Sequence, residues 1–459
     1  MISYELKPTP DNLKESILKD SVGRNKSIAN FIELLDEIDS TVAIALDDRW
    51  GNGKTFFVKQ TQIILQSCTS SYENLTAIRQ CMQNLFKNGK IRNYLPVYYD
   101  AWSNDDDTDP VLSIILEMLQ NIDGLENYEV NDQSWWDRLT TGLEVISTSF
   151  GGPRIKALLD SVKGTDILSE IKKHKKSDQV LNQIFDALLE KQPEDTRIVF
   201  FIDELDRCCP NFAVRLLERI KHYFLHERVM FVVSVNMLEL QHTIKRHYGN
   251  DFNADKYLRR FFDFIVPLPP ANMTKYYQTI NFDDRAIRYN IMSRMIKKYN
   301  FSLREITRYL QYLKVAVPEK CNTDYQPQLG FYIDVLIPFM IGLSIHDLNK
   351  YDDFIHGKDF SDFVEIIQED RPDWLCQILL KRNQETFQQD SRAFANFVSL
   401  TERLQPVYEF LFGTNDNSLS DSLNVSRGTI YAKDKNFIMD IISLMRASQN
   451  LKGGNNGAN

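Results

Sequence analysis

The residues with most chemistry in them lie in one short stretch, Asp48-Arg49-Trp50-Gly51-Asn52-Gly53-Lys54-Thr55. Two closely spaced glycines followed by a lysine and a hydroxyl form a pattern suited to phosphate. Gly51 and Gly53 let consecutive backbone N–H groups turn inward around phosphate oxygens, and a helix starting at the lysine adds the positive potential of its N-terminus. Lys54 is expected to reach the β- and γ-phosphates, and the Thr55 hydroxyl to ligate Mg²⁺. Arg49, Trp50, Asn52 and Phe56 fall within the same expected nucleotide-contacting run. One departure stands out: Asp48, beside Asp47, occupies the position of the pattern's first glycine. Aspartate tolerates unusual backbone angles better than most residues, and its charge is expected to point away from the phosphates.

A second constellation is Phe200-Phe201-Ile202-Asp203-Glu204-Leu205-Asp206-Arg207. An apolar run ending in an acid places Asp203 at the C-terminal edge of a sheet, where open α/β sheets bind ligands. Asp203 is expected to partner Mg²⁺ from the second sphere, and Glu204 to polarise an attacking water. Arg207 is expected to pair with Asp206. Further on, Ser234-Val235-Asn236 ends another apolar run. Asn236 there either positions that water or caps the helix that follows at Met237. No guanine-reading N-K-x-D sequence occurs, which favours adenine, so ATP and Mg²⁺ are the expected cofactors.

These groups need a sheet to hold them. Five short runs rich in β-branched and aromatic residues predict buried parallel strands: 41–46, 95–99, 197–202, 229–235 and 264–268. Helical patterns such as 26–38 and 211–225 alternate with them, so the fold class is α/β: a P-loop NTPase three-layer sandwich around a central parallel sheet. The extra strand between the loop strand and the carboxylate strand marks the branch of such proteins that carries a water-activating glutamate. A helical insertion is expected over about 120–191, with a hinge at Ser147–Pro153 and a basic run at Lys172–Lys176, read as a solvated face. Beyond Pro270 only helices are expected. The apolar stretch Phe331–Ile345 carries Asp334 and Pro338 and reads as a buried core helix, too short to span a bilayer.

With 459 residues, 43% of them hydrophobic and 25% charged, the chain has the composition of a folded protein of two to three domains. A net charge of -9 counts against broad DNA binding, which needs a basic face. The six cysteines are scattered, with no CxxC pair, so neither a zinc site nor a disulfide framework is expected. No signal peptide is visible, and a cytoplasmic location is the default.

The sequence resembles the KAP family of P-loop NTPases over about residues 13–315. The motifs that carry the likeness are Asp20-Ser21-Val22-Gly23-Arg24, Trp50-Gly51-Asn52-Gly53-Lys54-Thr55-Phe56-Phe57, Tyr99-Asp100-Ala101-Trp102 with the acids after it, and Asp203-Glu204-Leu205-Asp206-Arg207-Cys208. The resemblance implies an ATPase core, taken over 1–270, with a helical insertion after the second strand; beyond it the residues read as a helical lid over 271–318, a C-terminal all-α domain over 319–450 and, by composition, a disordered tail over 451–459. It implies that Gly23 and Arg24 lie near the nucleotide base. By analogy with AAA+-like ATPases, Arg259 or Arg260 would complete a neighbouring copy's site, and Arg304 in the lid would report on the γ-phosphate. A homo-oligomer with a protein effector partner follows as an expectation. The leading reading is an ATP-driven switch or motor, with phage exclusion or antiviral defence as the family's context. The alternatives are an ATP-gated scaffold with little turnover and a DNA-translocating ATPase.

Overall fold

The computed structural model describes residues 7–69, 75–87, 91–107, 110–121, 177–190, 192–223, 226–280, 287–316, 327–368, 397–413, 421–425 and 428–453. The chain divides into two compact units, Leu6–Thr279 and a second built on Ile280–Asn459.

The first unit runs α1 (Pro10–Lys19), α2 (Asn25–Glu37), β1 (Ala43–Asp47), α3 (Lys54–Cys68), α4 (Thr76–Gln83), β2 (Tyr94–Asp100), α5 (Pro110–Asn121), α6 (Ser177–Glu190), β3 (Arg197–Asp203), α7 (Pro210–Tyr223), β4 (Val229–Val235), α8 (Met237–Tyr248), α9 (Ala254–Leu258), β5 (Phe264–Pro267) and α10 (Met273–Thr279). The strands form one parallel sheet in the order β2-β3-β4-β1-β5, so β4 lies between β1 and β3. Successive side chains of a strand point to opposite faces, and both faces are covered. Ala45, Val97, Phe200, Ile202, Phe231 and Val233 pack with α5 to α9 on one side. Ile44, Leu46, Val199, Phe201 and Val232 pack with α1 to α4 on the other. Two-sided burial explains why these strands read as unbroken apolar runs rather than alternating ones.

β5 departs from that expectation. It is an edge strand paired only with β1, and Phe264 and Ile265 are 46% and 39% exposed. Its apolar composition belongs to an exposed edge rather than to a core. The unit also continues past the expected limit at residue 270. Asn272 N–H donates to the Val22 carbonyl, Lys275 pairs with Asp20, and the Thr279 hydroxyl donates to the Ser21 carbonyl, which ties α10 to the turn after α1. The expected hinge at Ser147–Pro153, the basic run at Lys172–Lys176 and most of the 120–191 insertion lie outside the described residues.

The second unit contains α11 (Ile287–Tyr299), α12 (Leu303–Ala316), α13 (Pro327–Phe331), a π-helical turn Tyr332–Leu336, α14 (Ile337–His346), α15 (Leu348–Ile355), α16 (Ser361–Gln368), α17 (Phe397–Phe412), β6 (Ser422–Val425), β7 (Gly428–Tyr431) and α18 (Ala432–Gly453). A reciprocal cap starts α12: Ser302 Oγ accepts from Glu305 N–H, while the Glu305 carboxylate accepts from Ser302 N–H. Phe339, Phe354, Phe363 and Tyr408 form an aromatic centre with neighbouring ring centroids 4.9 to 5.7 Å apart.

Two expectations for this unit need correction. It is not all helical, because β6 and β7 pair antiparallel as a short hairpin whose Val425, Thr429, Ile430 and Tyr431 are ordinary strand formers. The expected disordered tail begins too early, since α18 extends through Gly453; residues 454–459 lie outside the described residues. Among the described residues, Leu329–His346 is the one helical stretch that matches a membrane span by length and composition, at 18 residues, and 67% of it is buried inside the protein.

Candidate functional site

Parallel register brings the site together. Asp100 of β2 stands opposite Asp203 of β3, Asp203 opposite Ser234 of β4, and Asp47 of β1 opposite Val235. The C-terminal ends of four strands therefore carry their polar residues to one edge, and the loop before α3 rises from the same edge.

In that loop Gly51 and Gly53 have φ of 91° and 87°, a region L side chains rarely adopt, so the turn depends on glycine at both places. Lys54, the first residue of α3, is buried and folds its ammonium onto the carbonyl oxygens of Asp48 and Arg49. Burial pushes its pKa down, opposed by the carboxylates of Asp206, Asp48, Asp203 and Glu204. Asp48 accounts for its own presence. Its carboxylate accepts the Arg49 N–H at 2.7 Å and both its oxygens lie 2.9 Å from the Asn52 amide nitrogen. The acid in place of the first glycine thus braces the loop from within.

Gly23 and Arg24 are joined to the same loop. Gly23 has φ of 68° and lies so close to α10 that an added Cβ would sit 2.4 Å from Asn272 Cβ. Arg24 is buried and donates to the Asn52 carbonyl at 3.0 Å. Burial lowers its pKa to about 10, with Asp48 opposing. Its Nε has no hydrogen-bond partner, a buried donor left over beside the loop.

Across from the loop, Asp203 is 1% exposed and accepts the Tyr98 hydroxyl at 3.1 Å. Burial pushes its pKa up, and the nearby hydroxyls of Thr55, Ser234 and Tyr98 pull it back. Glu204 has φ of 62°, a left-handed conformation unusual for a side chain of this size. That kink turns the chain out of β3 into the 3₁₀ turn Leu205–Arg207. The Glu204 Oε1 lies 3.5 Å from the Thr55 hydroxyl, and its Oε2 is ion-paired with Arg207 Nε. Burial first, then Asp203, raises its pKa, while Arg207 lowers it.

The expected Asp206–Arg207 pair is therefore not what forms. Arg207 turns to Glu204, and the buried Asp206 accepts the indole N–H of Trp50 from the loop. Asn236 caps α8, its side-chain oxygen accepting from Leu238 and Glu239 N–H at 3.2 and 3.5 Å. Of its two expected roles, the structure displays the cap. Phe56 is half-buried on α3. Arg259 and Arg260 are exposed at the end of α9, and Arg259 is paired with Asp255 at 2.9 Å. Arg304 is an exposed residue of α12, in the second unit.

Tyr98 was not singled out by its sequence, although its place two residues before Asp100, on the same face of β2, could have marked it. Thr55 and Asp203 supply a hydroxyl and a carboxylate, hard oxygen donors of the kind Mg²⁺ accepts while keeping phosphate and water oxygens. Among the described residues no group of three or more His, Cys, Asp or Glu is arranged to hold a metal by itself. A site with few protein ligands and a phosphate-binding loop beside them fits Mg²⁺ bound together with a nucleotide.

Residues 24–319 match the KAP family P-loop domain. Among solved structures the chain is similar to that of PCH-2 from C. elegans, at 12% identity over 86% of this chain and 70% of that one. The TM-score is 0.21, at which the likeness carries no argument. No curated protein matches the chain.

Proposed function

The chain belongs to the KAP family of P-loop NTPases, and from that premise we propose that it is a Mg²⁺-dependent ATPase working as a nucleotide-driven switch or motor. One observation carries the reading. At a single sheet edge, a glycine loop with a buried lysine faces an almost fully buried aspartate, which is followed by a glutamate beside the Thr55 hydroxyl.

Each group then has a task. The N–H groups of Gly51 to Thr55 and the Lys54 ammonium bind and orient the phosphate chain, with the start of α3 adding its dipole. Thr55 and Asp203 would hold Mg²⁺, which when bound would supply positive charge against the phosphate oxygens. Tyr98 fixes the orientation of the Asp203 carboxylate by donating to one of its oxygens. Glu204 takes the proton of the attacking water. Its raised pKa makes it a stronger base than an ordinary carboxylate, with Arg207 opposing the rise. Arg24 supports the loop through the Asn52 carbonyl.

The primary test is Lys54→Ala. Losing a charge-assisted contact to phosphate costs about 3 kcal/mol, or roughly a hundredfold in Kd. In thermal melts, ATP at about a hundred times its Kd should stabilise the unsubstituted protein by about 2.7 kcal/mol, and the variant hardly at all. Equal stabilisation of both proteins would remove the loop from the binding site. Chelating Mg²⁺ with EDTA is expected to stop phosphate release in the unsubstituted protein, and hydrolysis that persists in EDTA would contradict the assignment of Thr55 and Asp203.

A further inference from the structure

Arg207 has no direct part in the reaction above, yet few side chains at the site are held from as many directions. Its Nε is ion-paired with Glu204 Oε2. Its guanidinium carbon lies 5.7 Å from the centre of the Trp50 ring and 5.5 Å from that of Trp102. Trp50 belongs to the phosphate loop, and Trp102 to the short turn that follows β2. The indole N–H of Trp50 is in turn bonded to Asp206, the residue before Arg207.

The two rings are 43% and 53% exposed, so filling the core does not account for them. A guanidinium can lie against aromatic faces while donating from its edge, which an ammonium cannot do. Glu204 is therefore held at both oxygens, by the Thr55 side through Oε1 and by Arg207 through Oε2.

We propose that Arg207 is the positioning residue of Glu204, kept in place by Trp50 and Trp102, and that Trp50 lets the shape of the phosphate loop set where the Glu204 carboxylate stands. This rests on the reading of Glu204 as the base that activates water. Trp50 forms one wall of the arginine's slot, so the path of the phosphate loop and the placement of the base are set together.

The test is the split between kcat and nucleotide affinity, read together with rescue by a conservative variant. An arginine that merely braced the phosphate loop would move affinity as well, whereas one that places Glu204 acts on kcat alone.

In Arg207→Ala kcat is expected to fall about a hundredfold, the usual cost of a misplaced reacting group, with the affinity for a non-hydrolysable ATP analogue unchanged. Arg207→Lys should recover only part of that loss, because the charge remains and the stacking does not. Trp102→Leu, which removes one wall without touching the core, should lower kcat in the same way by less. Should Arg207→Ala not fold, the last two variants carry the test. Unchanged or faster turnover in Arg207→Ala or Trp102→Leu, or an affinity that falls as far as kcat, overturns the proposal. If those rates are unmoved while Glu204→Gln is inactive, only the role of Arg207 falls. Full turnover in Glu204→Gln removes the underlying reading instead.

Discussion

The Glu204→Gln protein is expected to bind ATP as tightly as the unsubstituted chain and to hydrolyse it about a thousandfold more slowly, the usual worth of a positioned general base. Glutamine keeps the size of the side chain and its ability to accept from the Thr55 hydroxyl, but it cannot take a proton from water. Affinity resides in the loop and Lys54, on the other side of the site, so it is preserved. Single-turnover measurement with labelled ATP, alongside a binding titration, separates the two quantities. Unimpaired turnover would move the base to another residue. Loss of binding together with turnover would make Glu204 a structural residue. A left-handed backbone at a non-glycine residue is costly to hold, and its position between Asp203 and the turn to Arg207 is what aims the carboxylate toward Thr55.

A comparable loss is expected at Arg260, for a different reason. Arg259 is tied to Asp255 on its own helix, whereas Arg260 makes no ion pair among the described residues and is exposed. We propose that this arginine reaches a second copy, since an arginine supplied across a subunit boundary is worth about a thousandfold in turnover. Arg260→Ala is accordingly expected to lose about a thousandfold in kcat with ATP affinity intact, and Arg259→Ala to stay close to the unsubstituted rate. Mixing inactive Arg260→Ala and Lys54→Ala proteins should restore part of the activity, because an intact loop on one copy then meets an intact arginine on the other. A protein that remains monomeric at high concentration with ATP, or a mixture that stays inactive, rules this out.

Much of this site was legible because its signals are local. The strand before the loop, the two glycines, the lysine and the acid after an apolar run each lie within a few residues of one another, and the backbone puts them where the pattern says. The β4 bounds, Val229–Val235, match the apolar run residue for residue, since a strand covered on both faces has no polar alternation to blur its ends. What was not legible depends on neighbours distant in sequence. Arg207 pairs with Glu204, while Asp206 accepts the indole N–H of Trp50 from the loop. β5 is as apolar as the central strands, and only its place at the sheet edge leaves Phe264 and Ile265 in the open. The hairpin Ser422–Tyr431 has two strands of four residues each, too short for their pattern to stand out between long helices.

The acid at position 48 has a thermodynamic side. Its carboxylate holds the Arg49 N–H and the Asn52 amide, while Arg24 holds the Asn52 carbonyl, so the path of the loop is set by bonds within the protein. Ordering a backbone residue costs about 1–2 kcal/mol, and here that cost falls on folding rather than on capture of the ligand. A loop ordered in advance gives up little entropy when phosphate arrives. Its on-rate is then governed by diffusion and charge rather than by the wait for a rare closed conformation.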